Sequence, residues 1–202
     1  MVRINGIHEM AFDKLFDFED RLSTYTGAPY VVLTDGCTHA LELCFRYDRV
    51  ESCAFTPYTY LSILMLMKQL KIQYQFEDKG PWTGEYKFNK TRIWDSARLL
   101  KIGMYRPGQV QCVSFGHGKP LQVGRVGAIL TDDQQLYEWA SRARSDGRDL
   151  RIVPWEQQET FEQGYHYCPT LEDCQRGMER LSFVSQEPKY YQYPDLRKIN
   201  VR

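Results

Sequence analysis

In YVVLTDGCTHALELCFRY (30–47) the first five residues form a short apolar run, Gly36 interrupts it, and Ala40, Leu41, Cys44 and Phe45 then recur at helical spacing. A buried strand followed at once by an amphipathic helix is half of a βαβ unit, and the same order returns along the chain. SCAFTP (52–57) precedes the Met/Leu-rich helix of 59–70, and KIQYQFE (71–77) is a third strand. Upstream, AFDKLFDFEDRLSTYTG (11–27) places Phe12, Leu15, Phe16 and Leu22 on one helical face and stops at Gly27. The turn-rich DKGPWTGEYKFNK (78–90) suspends the alternation. It resumes with strands at 91–96, 110–115 and 127–132 and a helix from Asp132 to about Arg144. This pattern predicts an α/β protein, a three-layer sandwich around a mostly parallel central sheet with right-handed crossovers. Residues 1–150 form the α/β core. Residues 151–202 form a tail of the same domain, with one short helix (170–182) and an extended arm, SQEPKYYQYPDLRKINVR (185–202).

With 202 residues, 43% hydrophobic and 14% aromatic, the chain is long enough to bury a substantial core. Its 26 basic and 26 acidic side chains cancel, so neither a nucleic acid nor an anionic membrane is the expected partner. The start, MVRINGIHEMAFDKLF, lacks the apolar stretch of a leader, and LSILMLMKQL (61–70) is too short to cross a bilayer. A cytoplasmic protein is expected. Six cysteines at 37, 44, 53, 112, 168 and 174 form no CxxC pair and lie mostly in apolar segments, as reduced, packed thiols do. His166 with Cys168 and Cys174 is too irregular a set to predict a metal centre.

In sheets of this kind ligands sit beyond the carboxyl ends of the strands. The polar clusters fall there: Asp35 to Thr38, Tyr58 to Tyr60, Asp95, and Ser114 to Lys119 within SFGHGKPL (114–121). Taken singly, Lys119 reads as a solvated loop charge and Asp95 as a helix cap. Tyr60 reads as core packing, and His117 as either a turn residue or a substrate contact. Together they supply what pyridoxal 5'-phosphate (PLP) needs. A lysine amine forms the Schiff base, a carboxylate keeps the pyridine nitrogen protonated, an aromatic face covers the ring, and a helix N-terminus holds the phosphate.

The blocks FEDRLSTYTGAPYVVLTDGCTHALEL (18–43), TPYTYLS (56–62), IWDSARLL (93–100), VSFGHGKPLQVGRVGAILTDD (113–133) and GYHYCPTLEDCQRGMERL (164–181) together resemble the DegT/DnrJ/EryC1/StrS family of PLP-dependent sugar aminotransferases. That family belongs to fold type I of the PLP enzymes. The resemblance implies that Lys119 is the Schiff-base lysine and Asp95 the partner of the pyridine nitrogen. It implies that Ser114, Cys37 and Thr38 hold the phosphate and that Tyr60 stacks on the ring, with Tyr58 the alternative. His166 stands where the family usually has asparagine, reaching the phosphate of the neighbouring subunit, which implies a homodimer with shared active sites.

Two further departures matter. Arg98 replaces a glutamine or histidine near the cofactor's 3'-oxygen, where a cation favours a phenolate, binds an anionic substrate group, or points away. The chain is also about half the family's length, a reduced large domain without the C-terminal small domain. The implied activity is amination of a nucleotide-linked keto sugar with an amino-acid donor, glutamate foremost. The alternative is a catalytically lapsed homologue serving as a dimeric scaffold. The compact form would suit a virus or phage sugar pathway in a host cytoplasm.

Overall fold

A computed structural model describes residues 11–152, 154–185 and 187–201; residues 1–10, on which most of the expectation about a leader rests, lie outside the described residues. Strands β1 (Tyr30–Thr34), β2 (Ser52–Phe55), β3 (Gln73–Phe76), β4 (Tyr86–Lys87), β5 (Ile93–Asp95), β6 (Val110–Ser114) and β7 (Gly127–Thr131) are interleaved with helices α1 (Asp13–Thr26), α2 (Cys37–Tyr47), α3 (Leu61–Gln69), α4 (Gln134–Ala143) and α5 (Leu171–Arg180). A five-stranded sheet runs in the order β1-β7-β6-β5-β4, and β2 pairs with β3 beside it.

The central strands read as unbroken apolar runs because both of their faces are covered. Val32, Cys112 and Ile129 point to a core shared with α2, α3 and α4. Their neighbours Val31, Leu33, Val113, Ala128 and Leu130 point to a second core shared with α1 and α5. Residues one apart on a strand face opposite sides, so this alternation makes the three layers. Asp133 and Thr170 cap α4 and α5, accepting from the N–H groups of Leu136 and Asp173.

The sheet is mixed rather than uniformly parallel. β5 pairs parallel with β6 and β2 with β3, whereas β7 runs antiparallel to both β1 and β6. The physical reason is the link between β6 and β7: residues 115–126 form a helix-free loop, and a parallel return needs a crossover. The turn-rich 78–90 also contains β4, antiparallel to β5 and too short to give a periodic signal.

β1 lies on the sheet edge, and its backbone is tied down by a buried ion pair. Glu19 accepts from the Leu33 N–H at 2.8 Å, and Arg144 donates to the Leu33 carbonyl at 2.8 Å and to Glu19. Edge-strand groups that would otherwise be orphaned are thereby satisfied from α1 and from the residue that ends α4. All six cysteines are free thiols, Cys168 half-buried and the rest buried. Among the described residues no helix is long and apolar enough to cross a membrane.

Candidate active site

A cleft of about 570 Å³ opens at the carboxyl ends of β1, β5 and β6. Cys37, Thr38, Tyr60, Asp95, Arg98, Ser114 and Lys119 all line it, so one concavity gathers the candidates except His166 and the alternative aromatic Tyr58. At its floor β1 runs directly into α2, and β7 passes so close beneath that a Cβ on Gly127 would overlap the Cys37 amide. This approach sets the height of the α2 N-terminus, whose unpaired N–H groups and partial positive charge face the cleft. The Thr38 hydroxyl lies 2.7 Å from that of Ser62 in the first turn of α3, so two helix starts meet there.

Asp95 is 4% exposed. Its carboxylate accepts from the Ala97 N–H at 3.0 Å and from the Tyr86 hydroxyl at 2.9 Å. Tyr86 is itself 2.9 Å from the Thr59 hydroxyl. Both hydrogen-bond donors to the carboxylate are neutral, and burial pushes its pKa above the usual carboxylate value against their effect and the attraction of Lys119. Burial, with the charge of Asp95, holds the Tyr86 phenol well above its ordinary range, which keeps it a donor. Burial, and then the charge of Asp95, also hold the Cys37 thiol well above its usual value, which favours the protonated thiol.

Lys119 sits in the β6–β7 loop, which turns at Gly118 with a φ of 70°, in the left-handed region where glycine is unstrained. Its Nζ lies 3.3 Å from the Tyr193 hydroxyl. Arg98 spans loop and arm: Nη1 donates to the Gly118 carbonyl at 3.1 Å and Nε to the Tyr193 hydroxyl at 3.2 Å, and the guanidinium lies 3.9 Å from the centre of the Tyr191 ring. Tyr60, at the N-cap of α3, is 63% exposed with its ring at the cleft. Tyr58 is engaged elsewhere, donating to Asp78 at 3.0 Å and accepting from Arg197 at 3.1 Å.

His166 does not line the cleft of its own chain. Its side chain is 90% exposed, with Nδ1 3.2 Å from Asp146. Sequence reasoning does not include Tyr86, and it names Thr59 only as part of the Tyr58 to Tyr60 cluster, with no role behind Asp95; His39 is a further residue it does not single out. His39 lines the cleft, stacked on Tyr167 with ring centres 3.8 Å apart and Nδ1 2.5 Å from Asp35. It also left the tyrosines of the arm without a place in the site, although their density in 185–202 was the available signal.

No protein-family model matches the chain, and no curated protein is similar to it by sequence. Its fold is similar to those of several solved structures. One is a DegT DnrJ EryC1 StrS aminotransferase from Brucella abortus (TM-score 0.69, 16% identity, 87% of this chain and 60% of that one). Another is the sugar aminotransferase CalS13 from Micromonospora echinospora (TM-score 0.67, 15% identity, 84% and 60%). A third is DesI, solved in the presence of its TDP-sugar product (TM-score 0.66, 16% identity, 84% and 52%). The chain spans about three-fifths or less of these proteins' length. The fold is thus a reduced α/β fold resembling that of the fold type I aminotransferases.

Proposed function

We propose that this chain is a PLP-dependent aminotransferase, a shortened relative of the DegT/DnrJ/EryC1/StrS enzymes, acting on a nucleotide-linked keto sugar with glutamate or a similar amino acid as donor. The observation that carries the reading is Asp95: a buried carboxylate whose two hydrogen-bond donors are both neutral, in the same cleft as a lysine amine. A protonated ring nitrogen is the partner that this donor set lacks, so the residues present fit the cofactor. Bound there, PLP supplies an electron sink for the pair released at the donor's α carbon.

The chain's own residues divide the remaining work. Cys37 and Thr38 hold the phosphate through their N–H groups and the Thr38 hydroxyl, with Ser114 beside them. Asp95 keeps a proton on the ring nitrogen, and Tyr86 and Thr59 fix the carboxylate's orientation. Tyr60 offers a ring face at the mouth. Lys119 Nζ would anchor the cofactor and serve as the general base that moves a proton at the donor's α carbon. Arg98, in the cleft wall, would supply a cation toward the cofactor's 3'-oxygen. His166, exposed and outside its own cleft, reaches the phosphate of a second copy in a homodimer, and residues 151–202 belong to the same domain as the core. The TDP-sugar product of DesI supports the substrate class.

Incubation with PLP is expected to give a visible absorbance band that is absent from Lys119→Ala. Adding L-glutamate then converts it to a shorter-wavelength form with release of 2-oxoglutarate. A protein that gives no Lys119-dependent band contradicts the proposal.

A further inference from the structure

Between residues 193 and 199 the arm does not trail into solvent. Leu196 is buried, its N–H donates to the Pro57 carbonyl at 2.9 Å, and Arg197 pairs with Asp78 at 3.0 Å. These contacts fix the arm to the β2–α3 turn and to the segment just after β3, and lay Tyr191 and Tyr193 against the cleft. Tyr193 is 8% exposed, and its ring lies parallel to that of Trp82, 5.8 Å away at 10°. Trp82 is in turn held by its Nε1, which donates to the Tyr58 carbonyl at 2.6 Å. The phenol is therefore immobilised from both sides, with its oxygen between Arg98 Nε at 3.2 Å and Lys119 Nζ at 3.3 Å.

We infer that the C-terminal arm forms the substrate-side wall of the cleft in cis, and that Tyr193 is a positioning residue for Lys119. Its oxygen accepts from the lysine and keeps Nζ aimed into the cleft. The inference deepens the aminotransferase reading and rests on it for the use to which Lys119 is put, though not for the contact itself. A lysine on a glycine-bounded loop has four freely rotating carbons and would otherwise spend much of its time in solvent, at a cost in rotamer entropy whenever it is recruited. A fixed acceptor meets that cost in advance. Arg98 sets the acceptor in place, because its fork joins the Lys119 loop, through Gly118, to the phenol.

The test is Tyr193→Phe, which keeps the ring on Trp82 and removes only the hydroxyl; an unchanged near-ultraviolet circular dichroism spectrum reports that the aromatic packing of the arm is kept. Two readouts separate the inference from the reading beneath it. In the PLP-free protein, competitive acetylation of Lys119 is expected to be several-fold faster in Tyr193→Phe than in the wild type, with the other lysines unchanged. With PLP present, borohydride fixation of the pyridoxyl group on Lys119 is expected to be about tenfold slower, the loss of one hydrogen bond to a charged group. Acetylation unchanged at Lys119, or raised equally at all lysines, overturns the inference whatever PLP does. Acetylation that changes as expected in a wild type that fixes no PLP on Lys119 upholds the contact and overturns the aminotransferase reading instead.

Discussion

Gly127 and Gly36 lie against each other in the floor of the cleft, and replacing each with alanine gives opposite expectations. A Cβ on Gly127 would lie 2.6 Å from Gly36 C and 2.8 Å from Cys37 Cα, both backbone atoms that cannot rotate away. Ordinary contact begins near 3.4 Å, so β7 and the α2 N-terminus must part by at least roughly 0.8 Å, and further to clear the Cys37 amide nitrogen, which is nearer still. Overpacking of this kind costs about 1–3 kcal/mol. For a chain of this length that lowers Tm by roughly 2–12 °C. The displacement falls on the N–H groups assigned to the phosphate, and errors of this size at a positioned site cost about 10²-fold. PLP retention is therefore expected to fall by one to two orders of magnitude. Gly36→Ala should leave Tm nearly unchanged, because its Cβ meets nothing within 4 Å and its φ of 175° is extended backbone open to any residue. Differential scanning calorimetry of both variants, with PLP titration followed by absorbance, checks the pair. A Gly127→Ala protein as stable as the wild type, binding PLP equally well, refutes the claim that this approach sets the cradle.

Other outcomes follow from single residues. Asp95 has its pKa raised by burial, so above the unfolded carboxyl value of about 3.9 the folded state retains a proton that the unfolded chain releases. In PLP-free protein the stability difference between wild type and Asp95→Asn should fall as pH rises from about 3.9 through the raised folded value and then level off; urea melts across that range would contradict this if the difference stayed flat or rose. Glu19→Ala strands the buried Arg144 guanidinium and should cost about 3–5 kcal/mol by urea unfolding. Thr38→Val removes one hydroxyl from the meeting point of α2 and α3 and should weaken PLP binding about tenfold with little change in Tm.

What was legible in the sequence was what periodicity and punctuation encode. The run of 30–34, Gly36 and the spacing of Ala40, Leu41, Cys44 and Phe45 announce a strand, a turn and a helix, and β1 and α2 lie there with boundaries moved by a residue or two. The convergence of Asp35, Asp95 and Lys119 was legible because they fall at or just past the carboxyl ends of β1, β5 and β6, which share one edge of the sheet, and Tyr60 joins them from beyond β2 in the two-stranded sheet beside it. The direction of β7 was not, since an apolar run looks the same whichever way it runs and only the missing crossover helix in 115–126 betrays it. The Glu19–Arg144 pair joins residues 125 apart, and no local pattern links them. Tyr86 was hidden inside a turn-rich segment. In the sequence Tyr193 is one of several tyrosines in the arm, and its place beside Lys119 depends on how the arm is tied to Pro57 and Asp78, which is a tertiary fact.

The central claim is that Lys119 is the residue on which the cofactor is carried, and peptide mapping after borohydride reduction of the PLP-incubated protein tests it most directly. The account predicts a pyridoxyl increment on Lys119 at unit stoichiometry, lost in Lys119→Ala. A label spread over exposed lysines such as Lys79, with Lys119 unmodified, would contradict it.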